Sequence, residues 1–239
     1  GRAKSFASLL NMLDATAIAN PDDYNKEDYA DKGLVIRRFK KDIVDQVEGE
    51  FKERETHQVK SQATLAEQAA FDYLLAIEFA KIDKMSSAGL LFKTTLIKSL
   101  LSSPVACIKT IQNRIHVLTK KDDVDYLNDI HQLETLQKLL EKITPEQFSK
   151  YQTLKNTLKS TKNGSAWKAN DSKDRLVIFT ERIESLKFLE EQLTQDLKLK
   201  QGQVEILHGS LADTEQQRIV ENFGQENSKV RLLICSDVA

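Results

Sequence analysis

The sequence contains few cysteines, which could cross-link the chain, and few prolines and glycines, which favour turns. Its two cysteines, Cys107 and Cys235, lie far apart in a chain of 239 residues, so it offers neither a disulfide framework nor the paired spacing of a zinc site. Only three prolines and eight glycines occur, which favours helices over a turn-rich β fold. No run of eighteen apolar residues is present, so no membrane span is predicted. The simplest prediction is a protein of the reducing cytoplasm.

The chain also lacks a strong excess of charge of either sign. Lysine and arginine total 35 against 36 aspartate and glutamate, which gives a net charge of −1. The whole chain is therefore not a polyelectrolyte partner for nucleic acid, and a site of that kind must depend on local charge. Residues 86–121 contain no carboxylate, residues 122–146 are mainly acidic, and residues 150–175 are mainly basic. The basic segments could contact phosphates, but we prefer to interpret them as solvated faces.

Two motifs of nucleotide hydrolysis are absent from the sequence. It contains neither Gly-x-x-x-x-Gly-Lys-[Ser/Thr] nor Asp-Glu-x-His, so it supplies no phosphate-binding loop and no acidic motif for Mg²⁺. Phosphoryl transfer needs these parts together, and we expect the chain by itself not to hydrolyse ATP. Because the first residue is Gly1 rather than Met, we also expect an internal fragment of a longer protein.

Residues 64–160 have the pattern of nearly continuous helix. Apolar residues at helical spacing predict helices over 64–85, 90–101, 107–118, 127–143 and 145–158. Proline ends the second of these helices and, with Thr144 as N-cap, begins the last. The polar stretch 163–173 contains Gly164 and predicts a linker.

Residues 174–239 predict a parallel sheet. Three short runs rich in Val, Ile and Leu, at 175–180, 204–207 and 230–235, alternate with two amphipathic segments. This order predicts right-handed βαβ units. Thr180 and Asp213 are the predicted N-caps of the two helices, and Gly224 is the predicted end of the second. Because no helix follows the third strand, we expect a truncated sheet. The predicted fold class is therefore α/β, with a helical block followed by a truncated lobe containing a parallel sheet.

The strand ends carry motifs that resemble those of superfamily II helicases. Leu-Val-Ile-Phe-Thr at 176–180, Ile-Leu-His-Gly-Ser-Leu at 206–211 and Leu-Leu-Ile-Cys-Ser-Asp-Val-Ala at 232–239 are similar to motifs IV, IVa and the start of motif V, in that order. Arg-Arg-x-Lys-x-Asp at 37–42 and the opening segment 5–14 resemble the SWI/SNF branch, particularly its bacterial members, which include an ATPase that recycles RNA polymerase.

The resemblance implies a domain organisation and a parent activity. Residues 1–60 would end a first RecA-like lobe, 61–162 would be a helical insertion, 163–173 a linker and 174–239 a truncated second RecA-like lobe. The parent would be a DNA-dependent ATPase acting as a translocase or helicase, using ATP and Mg²⁺ bound mostly outside this chain. Its implied partners are duplex DNA, contacted through the backbone, and a DNA-bound protein such as RNA polymerase. Its implied location is the bacterial cytoplasm at the nucleoid, with no membrane association.

The same resemblance assigns site residues. Thr180, Gly209 and Ser236 would contact nucleic acid, and Asp237 would form part of the nucleotide-site wall; no catalytic residue or metal ligand is implied in this chain. His208 fits either a DNA contact or a loop histidine hydrogen-bonded within its own turn. A non-catalytic helical scaffold with a Rossmann-like appendage, made for protein binding, is the alternative function. A Walker A motif upstream of residue 1 would distinguish the two.

Overall fold

A computed structural model describes residues 2–36, 55–80, 82, 87–121, 123–161 and 165–236, which divide into two compact units, one within residues 1–58 and one within 59–239. The first unit contains α1 (Arg2–Leu13) and α2 (Glu27–Ala30). The second contains α3 (Leu65–Ala76), α4 (Ser87–Ser102), α5 (Pro104–Thr119), a 3₁₀ turn (Val124–Tyr126), α6 (Leu127–Leu140), α7 (Ser149–Lys159), β1 (Leu176–Phe179), α8 (Ile183–Asp196), β2 (Val204–Leu207), α9 (Asp213–Gly224) and β3 (Leu232–Cys235). This order confirms the predicted α/β class, a helical block followed by a parallel sheet. None of the described helices has the length and apolarity that crossing a bilayer requires.

The first unit is organised around the end of α1. Ala7, Leu10 and Ile18 form its small buried core. The side chain of Asn11 accepts the N–H of Ile18 at 2.8 Å and donates to its carbonyl oxygen at 3.0 Å, which fixes the loop that follows the helix. The Arg-Arg-x-Lys-x-Asp motif at 37–42 lies outside the described residues.

The helical block of the second unit packs α3 and α5 against α6, and α4 against α5. Its centre is built from fully buried aliphatic side chains, among them Leu74, Leu96, Ile111, Leu133 and Leu136. Ser103 separates α4 from α5: its hydroxyl accepts the N–H of Ala106 at the start of α5, and Pro104 follows at the first helical position. A short turn between two helices is thereby fixed by local sequence.

The helix predicted over 64–85 is shorter in the structure, because α3 ends at Ala76. The backbone N–H groups of Ala80 and Ile82 donate to the carboxylate of Asp129 at 2.6 and 2.9 Å instead of to helical carbonyls. Asp129 is fully buried on α6. The Asp129 carboxylate, nearly fifty residues away in sequence, therefore takes the N–H groups that a longer α3 would have bonded to its own carbonyls.

The helix predicted from residue 145 begins at Ser149, so Thr144 is not its N-cap. The Glu67 carboxylate accepts both the N–H and the hydroxyl of Ser149 at 3.1 Å. Glu67 also closes a capping box with Thr64 at the start of α3. One carboxylate thus serves the N-termini of two helices, where the helix dipole favours negative charge.

The sheet has three parallel strands in the order β1-β3-β2, which confirms the predicted parallel strands. All four residues of β3 are buried. Leu186 and Leu193 of α8 cluster with Leu232 and Ile234 on one face of β3. Leu207, Ile219 and Phe223 cluster with Leu233 and Cys235 on the other face. The central strand is thus covered on both sides, as its continuous apolar run predicted.

The helices and the sheet of the second unit share one apolar core. Helix α5 packs against α8, and the Tyr151 hydroxyl of α7 donates to Asp196 at the end of α8 at 2.6 Å. In the stretch predicted as a linker, the Trp167 backbone N–H donates to Leu158 at 2.9 Å and its indole N–H to Asp174 at 3.1 Å. The predicted domain boundaries stay predictions.

Candidate functional site

The carboxyl ends of the three strands lie at one edge of the sheet. The last residues of β1 and β2 both pair with the last residue of β3. Just beyond the strands, the Thr180 N–H donates to the carbonyl of Cys235 at 2.9 Å, and the Ser236 N–H donates to that of Leu207 at 2.9 Å. Thr180, His208 and Ser236 are therefore on neighbouring strand ends, about 5 Å apart from one strand to the next. Ligands of open α/β sheets bind outside this edge.

Ser236 has a buried hydroxyl at this edge. The residue is 6% exposed, and its Oγ has no hydrogen-bond partner among the described residues. Buried polar atoms in folded proteins are almost always hydrogen-bonded, so this hydroxyl fits a ligand atom. Asp237, which follows it, lies outside the described residues.

Thr180 is partly buried, and its Oγ1 lies 3.5 Å from the Ser102 hydroxyl of α4. The prediction that it caps α8 is wrong, because the helix begins at Ile183 with Arg182 at the N-cap position. Arg182 has extended backbone angles, φ −107° and ψ 133°, and two residues, Glu181 and Arg182, separate Thr180 from the helix. The threonine hydroxyl is consequently free of a capping role.

The start of α9, the second helix between the strands, also differs from the prediction. Asp213 is its first residue rather than its N-cap, a position taken by Ala212 with no side-chain cap. The helix ends at Gly224 as predicted. An acidic first turn still interacts favourably with the helix dipole.

Residues His208, Gly209 and Ser210 form an exposed turn after β2. The Leu211 N–H donates to the His208 carbonyl at 3.1 Å, and His208 Nδ1 lies 2.7 Å from the Ser210 hydroxyl. The histidine is hydrogen-bonded within its own turn, which is one of the two interpretations left open by the sequence. Gly209 is exposed at the same edge of the sheet.

Arg218 of α9 forms ion pairs with two carboxylates. Its guanidinium contacts Glu215 at 2.8 Å and Glu205 of β2 at 3.3 Å. Hydrogen bonds to Glu215 and Glu205 raise the pKa of Arg218. The hydrogen bond between Arg218 and Glu215 lowers the pKa of Glu215. Arg218 therefore connects α9 to β2 through these ion pairs.

Several cations of the basic segments are engaged in the helical block. Lys93 Nζ donates to the carbonyls of Leu75 and Ile77 at 2.7 and 2.8 Å, at the end of α3. The Arg114 guanidinium lies 4.9 Å from the centre of the Phe92 ring. Cations at helix C-termini and on aromatic faces stabilise the fold. These side chains are therefore poorly placed to bind phosphates.

A cavity of about 530 Å³ adjoins the carboxyl end of β1. It is lined by Lys98, Ser102, Lys150, Thr180 and Ser185, with phenylalanine and leucine side chains around them. Sequence reasoning missed this site, because its residues come from α4, α7, β1 and α8. No linear spacing connects them.

The thiols of Cys107 and Cys235 are poor nucleophiles. Burial raises the pKa of the Cys107 thiol to about 12 and raises that of Cys235 as well. Since the thiolate is the nucleophile, neither fits covalent catalysis. Within the part of the chain that the structure describes, no group of three or more His, Cys, Asp or Glu side chains could hold a metal ion.

The family model of the helicase conserved C-terminal domain matches residues 149–239, which run from α7 through the whole sheet. The match supports a superfamily II helicase-like chain and, at that general level, an ATP-dependent function with nucleic-acid binding. Comparison with curated proteins gives no match, and neither does comparison with solved structures.

Proposed function

We propose that this chain is part of a DNA-dependent ATPase of the SWI/SNF branch, a translocase or helicase, and contributes one wall of its ATP and DNA sites. The observation that carries the proposal is the convergence of Thr180, Gly209 and Ser236 at one edge of a parallel sheet. That edge lies within the segment that matches the helicase C-terminal domain. Edges of this kind bind phosphate-bearing ligands in many α/β proteins.

Each residue has a chemical role in this proposal. The Ser236 hydroxyl, which has no partner among the described residues, donates to a phosphate oxygen of the DNA backbone. The Thr180 hydroxyl does the same from the end of β1. Gly209 has no side chain, so a DNA strand can approach the backbone of the turn that contains it. Asp237 forms part of the nucleotide-site wall. These contacts read no base sequence, so the DNA binding is sequence-independent.

The nucleotide-site wall is assigned to Asp237, the residue after Ser236, because ligands of open α/β sheets bind beyond the carboxyl ends of the strands. ATP supplies the phosphoryl group and Mg²⁺ neutralises its charge when both are bound. This chain holds a wall of the site, and the phosphate-binding loop, the acidic metal ligands and the arginine fingers belong to other parts of the parent. The parent acts in the bacterial cytoplasm at the nucleoid, on duplex DNA and on a DNA-bound protein such as RNA polymerase.

The DNA contact is tested by fluorescence anisotropy of a labelled duplex at low and raised salt. We expect weak binding, with dissociation constants of about 10⁻⁴ to 10⁻⁶ M, that weakens as salt rises. Ser236→Ala with Thr180→Ala should weaken it further, whereas Ser172→Ala with Thr161→Ala, two exposed positions, should not. Binding that is insensitive to salt, or equal in both double variants, contradicts the assignment.

The ATPase proposal is tested by phosphate release from this chain and from a longer chain extended in both directions, each with and without duplex DNA. We expect no turnover by this chain and DNA-stimulated turnover by the longer one. Loss of an arginine finger alone lowers rates by about 10³ to 10⁵ in related enzymes. Turnover by this chain would refute the proposed division of the site.

A protein-binding scaffold is the second candidate, and one observation favours it. Leu90, Leu91 and Leu101 of α4 are 74%, 68% and 58% exposed. Exposed leucines add apolar area to the surface of α4 on which a protein partner could bind. A longer chain that contains a Walker A motif but shows no ATPase activity with DNA would favour this function.

A further inference from the structure

We infer that the cavity at the carboxyl end of β1 binds a free aromatic phosphate monoester, with the phosphate against Thr180, Ser102 and Lys98 and the ring against phenylalanines. This inference goes beyond the proposed function and does not rest on it. Thr180 belongs to both proposals, but Ser236 does not line the cavity and Lys98 has no part in the proposed DNA contact. The two proposals can therefore fail separately.

The polar end of the cavity is a chain of hydroxyls. Ser103 Oγ lies 2.6 Å from Ser185 Oγ, which lies 2.8 Å from Ser102 Oγ, and Ser102 Oγ lies 3.5 Å from Thr180 Oγ1. Each hydroxyl can donate one proton, so three contacts among four hydroxyls leave one proton unused.

All four hydroxyl residues line the cavity, but Ser103 and Ser185 are buried whereas Ser102 and Thr180 are only partly buried. Ser103 is 1% exposed, and its oxygen already accepts the N–H of Ala106 at 3.2 Å. A proton left there would be a buried donor without an acceptor, which folded proteins avoid. The chain therefore runs from Ser103 towards Thr180. Because the last contact is long, the Ser102 and Thr180 hydroxyls share the free donor, and both line the cavity.

The charge around these hydroxyls favours an anion. Among the residues that the structure describes, the cavity lining contains two lysines, Lys98 and Lys150, and one carboxylate, Glu181, which gives it a positive excess. Lys150 also donates to the Leu101 carbonyl at 2.7 Å, which fixes its position. A phosphate can accept the one free hydroxyl proton and a proton of an ammonium group, and hydrogen bonds to a charged acceptor are the stronger kind.

The rest of the cavity favours an aromatic body. Phe148, Phe179 and Phe188 line it with three leucines. Phe148 and Phe188 are engaged with each other at a centroid distance of 5.8 Å. Phe179 is 63% exposed and leaves a ring available for stacking. A volume of about 530 Å³ is within the range of small-molecule sites, and it suits one ring with a phosphate rather than a duplex.

Titration of the 239-residue chain with phenyl phosphate in a calorimeter tests the inference, with phenol and inorganic phosphate as partial ligands. We expect saturable binding of phenyl phosphate at one site. Thr180→Val and Lys98→Met should each weaken it about tenfold or more, since each removes a hydrogen bond to a charged group. Lys109→Met and Thr161→Val, exposed positions outside the cavity lining, should bind as the unmodified chain does.

Circular dichroism of each variant establishes that it is folded before its binding is compared. Equal binding by all four variants overturns the inference, and so does phenol binding as tightly as phenyl phosphate. A parallel titration with a short oligothymidylate separates a free ligand from a nucleotide within a strand. Binding of the oligonucleotide without binding of phenyl phosphate also overturns the inference.

Discussion

Replacing Tyr151 by phenylalanine tests how α7 is attached to the sheet. The Tyr151 side chain is buried, and its hydroxyl donates to Asp196 Oδ2 at 2.6 Å. Hydrogen bonds to charged groups contribute about 1.5–3 kcal/mol. Because the Asp196 side chain is 35% exposed and keeps its 3.2 Å ion pair with Lys155, we expect a loss near the lower limit, about 1.5 kcal/mol. For a unit of this size that corresponds to roughly 3–6 °C in the midpoint of thermal unfolding.

The same bond gives the prediction a pH dependence. Hydrogen bonding from Tyr151 lowers the pKa of Asp196, with a smaller contribution from Lys155, and burial and the neighbouring carboxylate raise the pKa of Tyr151. A carboxylate whose pKa is lower in the folded state stabilises the fold above its unfolded pKa of about 3.9 and loses that contribution as pH falls. The Tyr151→Phe variant should therefore lose less stability between neutral pH and about pH 3 than the unmodified chain does.

Urea unfolding at neutral and acid pH, followed by circular dichroism, measures both effects. Tyr73→Phe is the matched control, because the Tyr73 hydroxyl donates at 2.6 Å to the neutral amide oxygen of Gln132. It should lose about 1 kcal/mol without a change in pH dependence. Equal stability of Tyr151→Phe and the unmodified chain at neutral pH, or identical pH profiles, would refute the reasoning.

Three further predictions concern the core, a helix cap and a thiol. Ile234→Ala, in the fully buried centre of β3, should lower the free energy of unfolding by about 2–5 kcal/mol, measured by urea unfolding; a loss below about 1 kcal/mol would contradict the two-sided burial. Thr64→Ala should cost about 1 kcal/mol, with Thr161→Ala unchanged in the same assay. Cys107, whose pKa burial raises to about 12, should resist a thiol reagent at pH 8 until urea unfolds the chain; rapid modification of the folded chain would show that the site is open.

The candidate edge of the sheet could be read from sequence because its motifs are local. Thr180, Gly209 and Ser236 each follow a short apolar run, and the ends of parallel strands necessarily meet at one edge. That the Ser236 hydroxyl has no partner within the described part of the chain was not predictable, since whether a buried polar atom finds a partner depends on every neighbouring element. The hydroxyl chain of Ser102, Ser103 and Ser185 was likewise invisible in a sequence of ordinary serines.

The sequence by itself determined the class of fold. Runs of Val, Ile and Leu separated by helical periodicity predicted strands buried on both faces, and β3 is such a strand, with helices on both sides. For β1 that prediction is wrong, because Val177 and Phe179 are exposed on one face. Local chemistry also set the end of α9 at Gly224. These features depend on residues close together in the chain, where spacing is a direct guide to geometry.

Only the tertiary structure decided where other helices begin and end, and which strand is central. Asp129 takes the N–H groups of Ala80 and Ile82, and Glu67 takes that of Ser149, so partners distant in sequence override local helical preference. The order β1-β3-β2 and the cavity beside β1 arise in the same way. Hydrogen bonding and burial are satisfied over the whole fold at once, and the pattern of any one segment does not contain that information.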